Sequence, residues 1–116
     1  MTIYRYLAIL LNMKDVVLVF KALADPTRRQ ILQELKAGEL PAGEIASRFA
    51  ISGPSISRHL ALLKSAGLIS ERRDANRIFY QLIAEKVAHC LGDFLSAICP
   101  TQMLHKRKII KRRKKR

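Results

Sequence analysis

The sequence predicts a mainly α-helical domain of five helices, with one β-hairpin placed between the fourth and the fifth. Three observations predict it. The stretch from Pro41 to Gly67, PAGEIASRFAISGPSISRHLALLKSAG, reads as helix, turn, helix. Apolar residues recur at helical spacing both before and after it. Between Leu68 and Leu82 the apolar period drops to two, around a polar turn.

Residues 15–24 make the first helix, with Val16, Val19, Phe20 and Leu23 at i, i+3, i+4 and i+7. DPTRRQILQELKAGEL follows. Asp25 is its N-cap, Pro26 occupies the first helical position, and Ile31, Leu32 and Leu35 face inward. Gly38 ends that helix, and Lys36 in its last turn suits the helix dipole. A short helix from Ala42 to Phe49 leads to a turn at Ala50, Ile51 and Ser52. The next helix runs from Gly53 to Ala66, N-capped by Ser52, with Pro54 in its first turn and Gly67 as its left-handed stop. Ile56, Leu60 and Leu63 form its buried face.

The opposite face of that helix carries Ser55, Ser57 and Arg58 near its N-terminus, with His59 on the flank. Hydroxyls and free amides at a helix N-terminus reach phosphate, and Arg or Ser reaches base edges in a major groove. The plain alternative is a solvated polar face on a helical hairpin. The flanking stretch favours DNA. LISERRDANRIFYQL alternates on either side of Asp74, Ala75 and Asn76, a turn cluster, and so forms a two-stranded hairpin. Arg72, Arg73 and Arg77 surround its tip, and a hairpin with three arginines beside a recognition helix suits a sugar-phosphate backbone or a minor groove. Arg28 and Arg29 could also touch phosphate, but a pair on a helix surface is more often solvated or salt-bridged.

Ala84 to Cys99 is the last helix, stopped by Pro100. Val87, Cys90, Leu91, Phe94, Leu95 and Ile98 form a stripe wider than one small core needs, so part of it is expected to close a dimer.

The chain has 116 residues, 22 Lys plus Arg and 9 Asp plus Glu, for a net charge of +13. That is one domain of about residues 13–100, between an extension over 1–12 and a polybasic tail over 101–116. Nine of the basic residues lie between Lys106 and Arg116, leaving the rest of the chain at only +4. The tail is too charged to pack and signifies an anionic partner, whether DNA, RNA or lipid. In the extension, the apolar run from Leu7 to Leu11 is too short to span a membrane and lacks a small-residue cleavage site. It is either a further helix packed on the dimer or dispensable, since Met13 opens a sensible domain at MKDVVLVFKALA. Two cysteines make no disulfide framework, so a reducing cytoplasm is expected.

VFKALADPTRRQILQEL, GEIASRFAISGPSISRHLALLKSAGLI and ERRDANRIFYQL together resemble the ArsR/SmtB family of bacterial winged-helix repressors, and within it the SdpR-type autorepressors. The resemblance covers Val17 to about Leu82. It implies a homodimeric winged helix-turn-helix, paired through the first and last helices, with Val16, Phe20, Val87, Cys90, Leu91, Phe94, Leu95 and Ile98 at the interface. It also implies DNA contacts from Ser52, Ser55, Ser57, Arg58 and His59 in the recognition helix and from Arg72, Arg73, Asn76 and Arg77 in the wing. The operator would be palindromic and often the repressor's own promoter. Metal-sensing members carry a cysteine pair in the helix before the turn, but AGEIASRF has neither Cys nor His. Other members use an Asp-x-His and a later His-x-x-Glu on the last helix, which His89, Cys90, Asp93 and Cys99 do not match. No metal and no cofactor is therefore expected. His89 and Asp93 give at most two ligands on one face, short of the four a tight zinc site needs. Cys90 and Cys99 lie roughly 13 Å apart along a straight helix, too far to pair within it.

The expected function is that of a sequence-specific DNA-binding transcriptional regulator, a cytoplasmic, nucleoid-associated dimeric repressor, with no membrane partner. The alternative is a non-specific nucleic-acid-binding protein of nucleoid type, driven by the basic tail. Catalysis is excluded by the lack of a nucleophile–base pair, a close carboxylate pair or a phosphate-binding glycine loop.

Overall fold

The computed structural model describes residues 16–100, so the extension and the basic tail lie outside the described residues. Residues 16–23 form α1, which buries Val19 and Ala22 completely. Helix α2 (Pro26–Leu35) starts where Asp25, in extended conformation, accepts the Arg28 backbone N–H at 3.1 Å. The joint between these helices is held by the two arginines of DPTRR. Arg28 donates from Nε to the Ala22 carbonyl at 2.7 Å and from Nη2 to that of Lys21 at 2.8 Å, while Arg29 donates to the Leu23 carbonyl at 2.7 Å. Neither arginine is salt-bridged among the described residues; Arg28 is half-buried and Arg29 exposed. The pair satisfies the orphan carbonyls at the end of α1.

Strand β1 (Leu40–Pro41) precedes α3 (Ala42–Ser47), and α4 (Gly53–Ser65) follows the turn. Helix α3 is shorter than the sequence predicts, and Phe49 packs half-buried from the turn instead. Helix α4 begins at Ser52, whose hydroxyl accepts the Ser55 N–H at 3.3 Å. It ends on Gly67 at φ 75°, where the Leu68 N–H bonds the Leu63 carbonyl and the Gly67 N–H that of Lys64, both at 3.0 Å.

Strands β2 (Ile69–Asp74) and β3 (Arg77–Leu82) pair antiparallel from Ile69↔Leu82 to Asp74↔Arg77. Ala75 and Asn76 are left as a two-residue turn, and Ala75 takes the left-handed φ of 55° that glycine usually supplies there. The sheet has three strands, not the two that alternation predicts. Its order is β1-β3-β2, with Leu40↔Tyr80 and Pro41↔Phe79. Two residues are too few to show a period, and a proline argues against a strand except at an edge, which is where β1 lies.

Helix α5 (Ala84–Ile98) packs back on the core through Val87 and Cys90. The core is wholly apolar. Ile31, Leu35, Ile45, Leu63, Leu68 and Ile69 are almost fully buried, each contributing roughly 2 kcal/mol, and no polar or charged residue is buried among the described residues. The far face of α5 is not covered. Phe94 and Leu95 are exposed, Ile98 is 62% exposed, and on α1 Val17 is 60% exposed. Phe20 joins the two helices edge-to-face with Phe94, ring centroids 4.8 Å apart. No helix among the described residues is long and apolar enough to cross a membrane.

Candidate nucleic-acid interface

Burying Ile56, Leu60 and Leu63 forces the other side of α4 outward. Ser57 and Arg58 are exposed there, and Arg58 makes no hydrogen bond or ion pair with the described residues. Ser52 and Ser55 are tied to each other: the Ser52 hydroxyl donates to that of Ser55 at 3.0 Å while accepting the Ser55 N–H. They therefore define where the helix begins.

His59 sits differently from its neighbours. Its side chain is only 20% exposed, and its Nδ1 lies 3.2 Å from Arg28 Nη1 and 3.9 Å from Asp25 Oδ2. Asp25 feels opposing influences. Partial desolvation raises its pKa, but the Arg28 backbone N–H, the nearby His59 and Arg28 side chains and the Thr27 N–H outweigh that, leaving the carboxyl below its ordinary value.

The wing arginines divide into two kinds. Arg72 is occupied. It donates to both oxygens of Glu39, from Nη2 at 2.6 Å and from Nε at 3.1 Å, and its guanidinium stacks 4.5 Å from the Phe79 centroid. These hydrogen bonds hold Glu39 below and Arg72 above their ordinary values. Arg77 lies over the same ring at 5.2 Å and carries no ion pair among the described residues. Arg73 is 74% exposed, with only a loose 3.7 Å approach to Glu71. Asn76 is exposed at the turn. The fold thus brings Ser55, Ser57, Arg58 and His59 onto one helix and Arg73, Asn76 and Arg77 onto one hairpin, with Arg72 turned to the body of the protein.

Three participants escape sequence reasoning. Arg28 reaches His59 across 31 residues and Glu39 reaches Arg72 across 33, and no local pattern signals either pairing. Phe79 looks like an ordinary strand residue until both guanidinium groups are seen on it. Of the expected interface residues, Cys90 is buried in the core, Val16, Phe20, Val87 and Leu91 are half-buried, and Phe94, Leu95 and Ile98 are exposed. Among the described residues no cluster of three or more His, Cys, Asp or Glu could hold a metal ion.

Comparison with known proteins bears on this geometry. A family model described as a helix-turn-helix domain matches residues 23–72. The chain is 56% identical to the transcriptional repressor SdpR of Bacillus subtilis over 64 residues, which cover 55% of this chain and 71% of that one. It is 40% identical to the transcriptional activator HlyU of Vibrio cholerae over 76 residues, covering 66% and 70% respectively. It superposes on an ArsR-like transcriptional regulator from Rhodococcus sp. RHA1 with a TM-score of 0.67 at 27% identity, covering 86% of this chain and 92% of the other.

Proposed function

The chain belongs to the ArsR family of helix-turn-helix transcriptional regulators, a family of DNA-binding proteins and not of enzymes, and on that premise we propose that it represses transcription as a homodimer on a palindromic operator. The observation that carries this reading is the outward face of α4. It presents Ser57 and an unengaged Arg58 in the helix that follows the turn, with Arg73, Asn76 and Arg77 on the adjoining wing. A helix so placed enters a major groove with its N-terminal residues on base edges, while the hairpin lies on the backbone or in the neighbouring minor groove. Ser52, Ser55 and His59 border the same face. Two half-sites one duplex turn apart require a two-fold protein, and the exposed Phe94, Leu95, Ile98 and Val17 supply the apolar surface for one.

Repression follows from occupancy of a promoter by such a dimer, and SdpR, a transcriptional repressor by name, is a precedent. HlyU is an activator by name, so the sign of regulation is tested separately, by a reporter read with and without this protein. The site of action is the nucleoid of a cytoplasm. The basic tail adds affinity that is independent of sequence and sensitive to salt.

The test is selection of binding duplexes from a random pool, followed by footprinting. A two-fold symmetric sequence should emerge, and Arg58→Ala should weaken its binding by about 1–3 kcal/mol while leaving random duplex nearly unaffected. Deleting residues 106–116 should lower affinity for both duplexes alike. Loss of all binding with the tail, or failure to enrich any sequence, would support the nucleoid-type alternative instead.

A further inference from the structure

We propose that Arg28 is a positioning residue that fixes the proton of His59 on Nε2, so that His59 meets DNA as a hydrogen-bond donor. The inference rests on the DNA-binding reading of α4 and adds to it a polarity that no pattern in the sequence shows. Arg28 lies on α2 and His59 on the flank of α4. Each of the three guanidinium nitrogens has a separate task. Nε binds the Ala22 carbonyl at 2.7 Å and Nη2 the Lys21 carbonyl at 2.8 Å, which fixes the plane of the group against the end of α1. Nη1 remains, and it stands 3.2 Å from His59 Nδ1.

A guanidinium has donors and no acceptor, so in this pair Nδ1 must accept. A ring nitrogen that accepts carries no hydrogen, and in the neutral imidazole the hydrogen is then on Nε2. The competing arrangement would place the hydrogen on Nδ1 and donate it to Asp25. The distances reject it. Asp25 Oδ2 is 3.9 Å from Nδ1, beyond hydrogen-bond range, and the same oxygen already accepts the Arg28 backbone N–H at 3.1 Å. With Nδ1 taken, Nε2–H is the polar atom left for a ligand. A donor there selects acceptors: a phosphate oxygen, or purine N7, guanine O6 or thymine O4 in the major groove. It rejects the amino groups of adenine and cytosine.

The experiment uses the full chain with ¹⁵N-labelled histidine. Long-range ¹H–¹⁵N spectra above the titration of the ring should show His59 Nδ1 unprotonated and Nε2 protonated, and the Nε2 signal should move when the selected duplex is added. The opposite tautomer overturns the proposal without any mutant. His59→Leu should lower affinity for the selected duplex about tenfold, the value of one hydrogen bond, and His59→Gln, whose amide nitrogen can donate from a similar position, should recover most of that loss. An equal loss on random duplex assigns the acceptor to phosphate, and a loss confined to the selected duplex assigns it to a base edge. His59→Leu binding as tightly as the parent refutes the proposal. Arg28→Lys should mix the tautomers and shrink the effect of His59→Leu, whereas strict additivity would overturn the positioning role. If the unmodified chain enriches no duplex at all, the repressor reading fails, while the tautomer is still decided by the spectrum.

Discussion

At the scale of single residues, what distinguishes the candidate site is which polar groups are already engaged. Arg58 and Arg72 look alike in the sequence, two arginines in basic stretches. In the fold the first has no partner among the described residues and the second is held by both oxygens of Glu39. Ser52 and Ser57 differ in the same way. Ser52 caps α4, so Ser52→Ala should cost about 1 kcal/mol of stability, seen as a lower denaturant midpoint with unchanged slope. Ser57→Ala should leave that midpoint in place, because its hydroxyl bonds nothing among the described residues. The cap was legible in the sequence because Ser-Gly-Pro is a local signal. The Arg28–His59 pair was not, since it exists only once two helices cross.

At the scale of elements, the first half of the helix-turn-helix and the wing are braced by separate ion pairs. Arg48 of the turn bridges Glu34 of α2 at 2.6 Å and Glu44 of α3 at 2.9 Å, which steadies the first half of the helix-turn-helix. The Glu39–Arg72–Phe79 assembly does the same for the hairpin. Counterion release is the measurement that separates a wing arginine binding phosphate, as proposed for Arg77, from one that braces the fold. Arg77→Ala should reduce the slope of log affinity against log salt by about 0.9, the signature of one lost phosphate contact. Arg72→Ala should lower affinity while moving that slope far less, because its charge is already neutralised by Glu39. Equal slopes for both variants would show that Arg72 leaves Glu39 when DNA binds. Alternation in the sequence located the hairpin, though Asp74, expected in the turn, ends β2 opposite Arg77; it missed β1, since strand pairing by Leu40 and Pro41 is decided by Phe79 and Tyr80 far along the chain.

At the scale of the whole molecule, the order of helices and the hairpin was legible because each element carries its own period and its own stop. The arrangement of charge was not, because ion pairs join distant segments. Glu34 and Glu39 each tie two segments together and Asp25 caps α2; all three are held below the ordinary carboxylate range, Glu34 by Arg48 and Gln30. A carboxylate with a lowered folded pKa adds stability above its unfolded value and loses it as pH falls through the folded one. Stability should therefore be flat from neutrality to about pH 5 and decline below about pH 4, as read by denaturant unfolding at a series of pH values. Glu39→Gln should make that decline shallower. The proposed interface has its own test: Phe94→Asp should yield monomers by light scattering, with far weaker binding to the selected duplex, and a variant that stays dimeric would place the interface elsewhere. The sheet leads to a last consequence. One margin ends after two residues at Pro41, which has no amide hydrogen to offer, and the chain turns at once into α3. The other margin, β2, displays Glu71, Arg72 and Arg73 along its length. Neither border invites another strand, so newly made copies at high local concentration are steered away from fibrillar stacking.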